Sequence, residues 1–278
     1  MSDTTFQESR RNALKALVAL GGLWGSGAVF SQNNSLAQIS GGKVALVIGN
    51  ANYSASPLKN SVRDAYSVAS SLRTLGFNVA AYENIALPEM LDAMKALWLN
   101  GREAGVRVFY FAGHGLQYHG ENYLLPVDAV IKSEDDIPRK AASFTALIDK
   151  LKTLSTGVNI LVLDACRAPP LRGQATRGLG NGLAHVVAPR GTLVAFSTGP
   201  GAVALDGTDA NSPYTHSLIT HLQTPGLPVE QLFKRVRIDV AQQTKDTQIP
   251  WESSSLVGDF CFRTTDGGEC PALTYGPR

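Results

Sequence analysis

The sequence is short of the residues that would place it in several common classes. It has three cysteines, Cys166, Cys261 and Cys270, too few and too widely spaced for a disulfide scaffold or a zinc knuckle. It has no excess of either charge. Its 25 basic and 23 acidic residues give a net charge of +2, without the basic surplus of a protein that lives on nucleic-acid phosphates. No run reaches about 18 uninterrupted apolar residues, which argues against a conventional membrane-spanning helix. No internal repeat is visible, so a solenoid is excluded. What remains is an ordinary globular balance, 44% hydrophobic and 17% charged over 278 residues, which excludes disordered, coiled-coil and collagen-like chains.

Residues 1–37 read as an address rather than as fold. Ser9-Arg-Arg-Asn-Ala-Leu-Lys15 precedes a glycine-loosened apolar run from Ala16 to Phe30, and Ser35-Leu36-Ala37 offers small residues to a signal peptidase. The pair Arg10-Arg11 resembles a twin-arginine signal, with Ala13 where that motif usually carries Phe. An ordinary secretory signal and an uncleaved anchor helix are the other readings of this stretch. The expectation is export to the periplasm or beyond, a mature start at Gln38 and no stable membrane anchor after processing. A domain over 38–265 and a tail over 266–278 make up the rest.

β-Branched runs predict strands at Lys43–Gly49, Phe77–Tyr82, Val106–Phe111, Val158–Leu163 and Thr192–Phe196, with a short one at Tyr123–Pro126 and a last one at Gly258–Arg263. Helical spacing predicts helices between them, at Leu58–Leu75 (stopped by Gly76), from Pro88 to about Asn100, Ser143–Leu154, Tyr214–Gln223 and Val229–Thr244. The alternation implies the α/β class, with a mainly parallel six-stranded sheet covered by helices on both faces. Sites in such sheets form at the carboxyl ends of strands. The third strand runs into Ala112-Gly-His-Gly115 and the fourth into Asp164-Ala-Cys-Arg167, so both chemically able residues reach one edge.

A cysteine beside a histidine is the minimum for thiol catalysis. The thiolate of Cys166 is the nucleophile, and the imidazole of His114 moves the proton. The backbone N–H groups of Gly115 and Cys166 are the candidate oxyanion donors. A cysteine after a hydrophobic strand is also commonly just a buried residue, so position alone leaves both readings open.

Phe111-Ala-Gly-His-Gly115, followed about 50 residues later by Leu163-Asp-Ala-Cys-Arg167, resembles the caspase superfamily, whose His precedes its Cys by that separation. Val47-Ile-Gly-Asn-Ala-Asn-Tyr53 with Leu58-Lys-Asn-Ser-Val-Arg-Asp-Ala65 is similar to the opening of the large-subunit region. Phe196-Ser-Thr-Gly-Pro-Gly201 and Asn211-Ser-Pro-Tyr-Thr215 are similar to the small-subunit region. The resemblance covers Lys43 to Arg263 and is strongest to the bacterial metacaspase-like proteins, the orthocaspases. It departs from caspases at Asp164, where they carry Gln, and at Ala168, where they carry Gly.

That resemblance implies a caspase-like fold and a cysteine endopeptidase. Asp164 and Asp64 would line an acidic pocket for Arg or Lys at P1, with Asp206 as a third, weaker candidate. Ser197 to Ala202 would pair with the substrate main chain as an added strand. Each has a plainer reading: Asp164 as an acceptor for nearby N–H groups, Asp64 on a solvated helix face, Asp206 and 197–202 as turns. The implied partners are protein or peptide substrates with a basic P1, the enzyme being a monomer with no organic cofactor. Arg172, Arg177 and Arg190, in the loop after the nucleophile, are candidate self-cleavage points.

Some metacaspases hold calcium with acids beyond the His strand, and Asp128, Glu134, Asp135 and Asp136 fall in that region. No twelve-residue calcium loop is present, and no metal site is expected. His119 lacks a zinc partner, and His185, His216 and His221 read as surface or structural. Cys261 and Cys270 suit a hairpin disulfide in an exported protein, leaving Cys166 the lone thiol; two reduced thiols are the alternative. The rival functions are a catalytically silent caspase-like interaction protein and a nucleotide-binding domain. The latter wants a glycine-rich phosphate loop, and Gly49-Asn-Ala-Asn-Tyr53 has one glycine.

Overall fold

A computed structural model describes residues 42–154, 156–167, 182–202, 210–266, 268 and 270, with Cys166 and Arg167 described as backbone. The expected signal 1–37, Asp206, Arg172 and Arg177, and the tail beyond residue 270 lie outside the described residues.

Five parallel strands form the frame: β1 (Lys43–Gly49), β2 (Phe77–Glu83), β3 (Val106–Tyr118), β6 (Val158–Arg167) and β7 (Thr192–Phe196). A sixth, β8 (Trp251–Ser254), closes the order β2-β1-β3-β6-β7-β8 and runs antiparallel to β7. Two short antiparallel strands, β4 (Glu121–Leu124) and β5 (Ala142–Ser143), extend from the far end of β3. β1 is buried from Val44 to Gly49 because its two faces are both covered, hence its continuous apolar run.

Alternation along the strands divides the core into two layers. Val108, Tyr110, Val162 and Ala195 face α1 (Ser61–Thr74), α5 (Pro213–Leu222) and α6 (Val229–Gln243). Phe109, Phe111, Leu163 and Phe196 face α2 (Leu87–Asn100) and α4 (Phe144–Lys152). A third, smaller cluster joins Tyr53 to Leu116, Tyr123, Leu125 and Ile137, the last from the one-turn helix α3 (Ile137–Lys140). Gly76, at φ +80°, follows the C-cap of α1 in the left-handed conformation that a helix stop requires.

The parallel strands and the five longer helices agree with the sequence reading; β5 and α3 carried no prediction, and two strand assignments differ. β3 and β6 run on past Phe111 and Leu163 to Tyr118 and Arg167, so His114 and Cys166 lie within the ladder rather than past its end. The last strand is 251–254 and not 258–263. The latter segment makes only isolated bridges, Cys261 with Pro228 and Arg263 with Pro225. Trp-Glu-Ser-Ser escapes a hydrophobic pattern because it is a short edge strand with Trp251 and Ser254 exposed. Cys261 and Cys270 are joined by a disulfide, with Cα atoms 5.4 Å apart. No helix among the described residues is long and apolar enough to cross a membrane.

Candidate active site

The sheet order reverses between β1 and β3, and the crevice above that switch is where doubly wound sheets bind ligands. The loop after β1 is drawn over it by two asparagines. Asn84 Oδ1 accepts the N–H groups of Ala51 and Asn52, each at 2.9 Å. The fully buried Asn50 accepts the Ile85 N–H at 3.1 Å and donates to Leu125 O at 3.1 Å.

This loop delivers Tyr53 and Ser56 to His114, which is 3% exposed. The Tyr53 hydroxyl accepts the His114 N–H at 2.9 Å and donates to Leu125 O at 3.0 Å, and its ring lies 4.5 Å from the imidazole. A side chain at Gly113 would meet that hydroxyl at 2.6 Å, which explains the glycine before the histidine. His114 Nε2 is 2.7 Å from the carbonyl oxygen of Ser56. A carbonyl can only accept, so in the neutral ring Nε2 carries the proton and Nδ1 is the basic nitrogen.

β3 and β6 pair in parallel with His114 opposite Cys166 and Gly115 opposite Arg167. Neighbouring strands are about 4.8 Å apart, so the main chain at 166 is fixed one strand spacing from the histidine. Gly115 is also paired on its other side, with Leu124 of β4.

The two aspartates predicted to share a pocket share one residue, Ser212. Its N–H donates to Asp64 Oδ1 at 3.0 Å and its Oγ donates to Asp164 Oδ2 at 2.7 Å. The same Oγ accepts the Thr215 N–H, capping α5. Asn211 Nδ2 donates to Asp64 at 2.8 Å, and the Thr215 hydroxyl donates to Asp164 at 2.9 Å while accepting from the Tyr110 hydroxyl at 2.6 Å, which itself lies 3.4 Å from Asp164 Oδ2. Asp64 and Asp164 are 2% and 6% exposed, so Asp64 is not on a solvated helix face. Burial, then the charges of Asp164 and Asp64, push the Tyr110 hydroxyl well above its ordinary pKa, which shows both carboxylates bearing on one spot.

Ser197 follows β7 beside this web. Residues 197–202 turn rather than extend, with Ala202 N–H donating to Gly199 O at 3.1 Å. The Ser197 carbonyl accepts from Gln248 Nε2 at 2.7 Å, and Gly201 N–H donates to Leu183 O at 3.4 Å. Leu163, Ala165, Leu183, Phe196, Thr198 and the backbone around Ser197 line a small open cleft. The segment leading into β7 is pinned there: the Asn122 side chain donates to Ala184 O at 2.9 Å and accepts its N–H at 2.6 Å. Arg190 sits in a fixed turn, where Gly191 N–H donates to Ser255 O at 3.0 Å.

The calcium candidates do not converge. Asp136 accepts the Lys132 and Ser133 N–H groups and pairs with Lys140 at 3.0 Å, and Asp128 accepts the Leu87 N–H. The Lys132 N–H, then Lys140, hold the Asp136 carboxyl down at about 2. Among the described residues no three His, Cys, Asp or Glu side chains group to hold a metal ion. His221 is occupied by Asp239, its Nε2 lying 2.7 Å from Asp239 Oδ2.

The match to a family model decides what this geometry belongs to. Residues 42–261 match the family described as the caspase domain. The chain belongs to the caspase-domain family. The family supports a cysteine-peptidase-like function for it. Among curated proteins, it is 33% identical over 129 residues to mucosa-associated lymphoid tissue lymphoma translocation protein 1 of Homo sapiens, and equally to the homolog of Mus musculus. Those matches cover 45% of this chain and 15% of each relative.

Within the caspase-domain frame, several site residues carried no role in the sequence reading. Ser56 acts through its carbonyl, which no residue type encodes. Tyr53 and Ser212-Pro-Tyr-Thr215 stood inside the matching motifs without an assigned task. Ser followed by Pro was a usable signal for the helix cap at Ser212.

Proposed function

We propose that the chain is an exported cysteine endopeptidase of metacaspase type that cleaves after Arg or Lys. The observation that carries this reading is the register of β3 and β6, which sets His114 beside Cys166. His114 Nδ1 takes the thiol proton, and the Cys166 sulfur attacks the scissile carbonyl carbon. The N–H groups of Gly115 and Cys166 hold the oxyanion once the substrate draws the ends of β3 and β6 apart, since both lie in the ladder of the free protein; one well-placed donor is worth roughly 3–4 kcal/mol of barrier. The C–N bond breaks, the amine leaves with the imidazolium proton, and water hydrolyses the thioester.

The pair of buried carboxylates around Ser212 favours a cationic P1 side chain, and Asp206 adds a third charge. Ser197 to Ala202 serves as the edge for the substrate main chain, which then displaces contacts such as Gly201 with Leu183. No organic cofactor takes part, and the enzyme works as a monomer. The disulfide Cys261–Cys270 supports an oxidising compartment and, with Arg10-Arg11, export by the twin-arginine route.

The test is covalent capture. A peptidyl acyloxymethyl ketone with Arg at P1 labels Cys166 in the intact protein, read by peptide mass spectrometry, with and without calcium. Labelling that persists unchanged in His114→Ala, or that prefers an Asp probe, defeats the reading.

A further inference from the structure

Ser197 is 1% exposed, and its Oγ has no hydrogen-bond partner among the described residues. The hydroxyl of Tyr214, a fully buried residue, has none either. Buried hydroxyls are almost always paired, and one that is not requires a reason.

Both hydroxyls lie beside Asp164. The register of β6 and β7 ends with Leu163 opposite Phe196, and the Ser197 N–H donates to Leu163 O at 2.9 Å. One residue further on, Ser197 therefore stands next to Asp164. Alternation turns both toward α5, because Val162 and Ala195 belong to the layer under α5 while Leu163 and Phe196 belong to the other. Tyr214 arrives from α5 itself, and after burial the charge of Asp164 is what most raises its pKa. Asp164 Oδ2 is already held by Ser212, Thr215 and Tyr110. Beside the two buried carboxylates, then, stand two hydroxyl oxygens that no donor among the described residues uses.

The two basic side chains differ in what they can do with such oxygens. A lysine ammonium is a compact charge with three donors, satisfied by carboxylates alone. A guanidinium is planar and carries five donors in a fixed fork, so one edge can meet a carboxylate while another meets a neighbouring hydroxyl. We propose that Ser197 is a specificity-determining residue whose Oγ accepts a guanidinium N–H, so that the pocket selects arginine over lysine at P1. Tyr214 Oη serves as the second acceptor. This inference rests on the basic-P1 reading and names the residue that the pocket takes.

The experiment compares kcat/KM of the full chain on matched fluorogenic peptides with Arg, Lys or Asp at P1, for the wild type, Ser197→Ala and Ser197→Thr. The wild type prefers Arg. Ser197→Ala lowers the Arg value about tenfold, mainly through KM, as expected when a charged donor loses an acceptor, and leaves the Lys value within about twofold. Ser197→Thr restores the Arg preference. The melting temperature of Ser197→Ala does not fall, because the lost hydroxyl had no protein partner to lose. Equal losses on Arg and Lys, no change on either, or a wild-type preference for Lys overturns the role of Ser197 while leaving the basic pocket standing. Wild-type cleavage after Asp, or none at all, overturns the pocket reading and this inference with it. Binding of the same peptides to the Cys166→Ala protein, by calorimetry, gives a second reading independent of turnover, and equal Arg affinity with and without Ser197→Ala contradicts the proposal.

Discussion

Two buried charged side chains sit at opposite ends of the central strand pair, and they are satisfied in different ways. Arg107, fully buried near the start of β3, donates to main-chain oxygens of Gly101 at 2.5 Å, Thr156 at 2.9 Å and Arg102 at 3.2 Å, and to Asn159 Oδ1 at 3.3 Å. Burial lowers its pKa, and its surroundings are carbonyls that cannot rotate away. Asp164, near the end of β6, is met by the hydroxyls of Ser212 and Thr215, with that of Tyr110 behind Thr215, and their protons turn to suit; among the described residues nothing pairs with the Ser197 and Tyr214 hydroxyls. The first arrangement is complete and structural. The second is adaptable, as the pocket proposed above requires.

Breaking the complete end has the largest effect. Arg107→Met leaves three buried carbonyls without their donor and costs about 3–5 kcal/mol of stability, measured by urea denaturation. The folded fraction keeps its kcat/KM, and a folded but inactive variant would erase the distinction between the two ends. Asp164→Asn behaves in the opposite way. The amide oxygen still accepts the Ser212 and Thr215 hydroxyls, so stability changes by about 1 kcal/mol, while kcat/KM on a basic P1 peptide falls about a hundredfold because one carboxylate charge is gone.

Tyr53→Phe removes the hydroxyl between His114 N–H and Leu125 O. A drop of about tenfold in kcat with little change in KM is expected, since the histidine is less firmly held. The smallest effect lies at Asp136, whose carboxyl is held at about 2 by the Lys132 N–H and Lys140. Its pKa is depressed on folding, so its contribution is present above the usual carboxylate range and lost as pH falls through about 2. Asp136→Asn therefore lowers the melting temperature slightly at neutral pH, and the difference from wild type vanishes in strong acid.

The frame was legible because strands buried on both faces are continuous apolar runs. Lys43–Gly49 and Val158–Leu163 could be read directly, and the strand ends then brought His114 and Cys166 together. β8 was not legible, since a short, half-exposed edge strand leaves no hydrophobic period. The acidic web was legible only as two aspartates inside familiar motifs. What joins them, Ser212, meets Asp64 across 148 residues, and a contact of that span leaves no local pattern. The partner of His114 Nε2 is a main-chain carbonyl, invisible to any reading of side-chain types.

The most direct test of the account is the P1 selectivity of the full chain on fluorogenic peptides with Arg, Lys or Asp at P1, with and without calcium, beside Cys166→Ala. The account predicts turnover after Arg, and more weakly after Lys, that disappears in Cys166→Ala. Turnover after Asp, turnover that survives the loss of Cys166, or no turnover under any condition would contradict it.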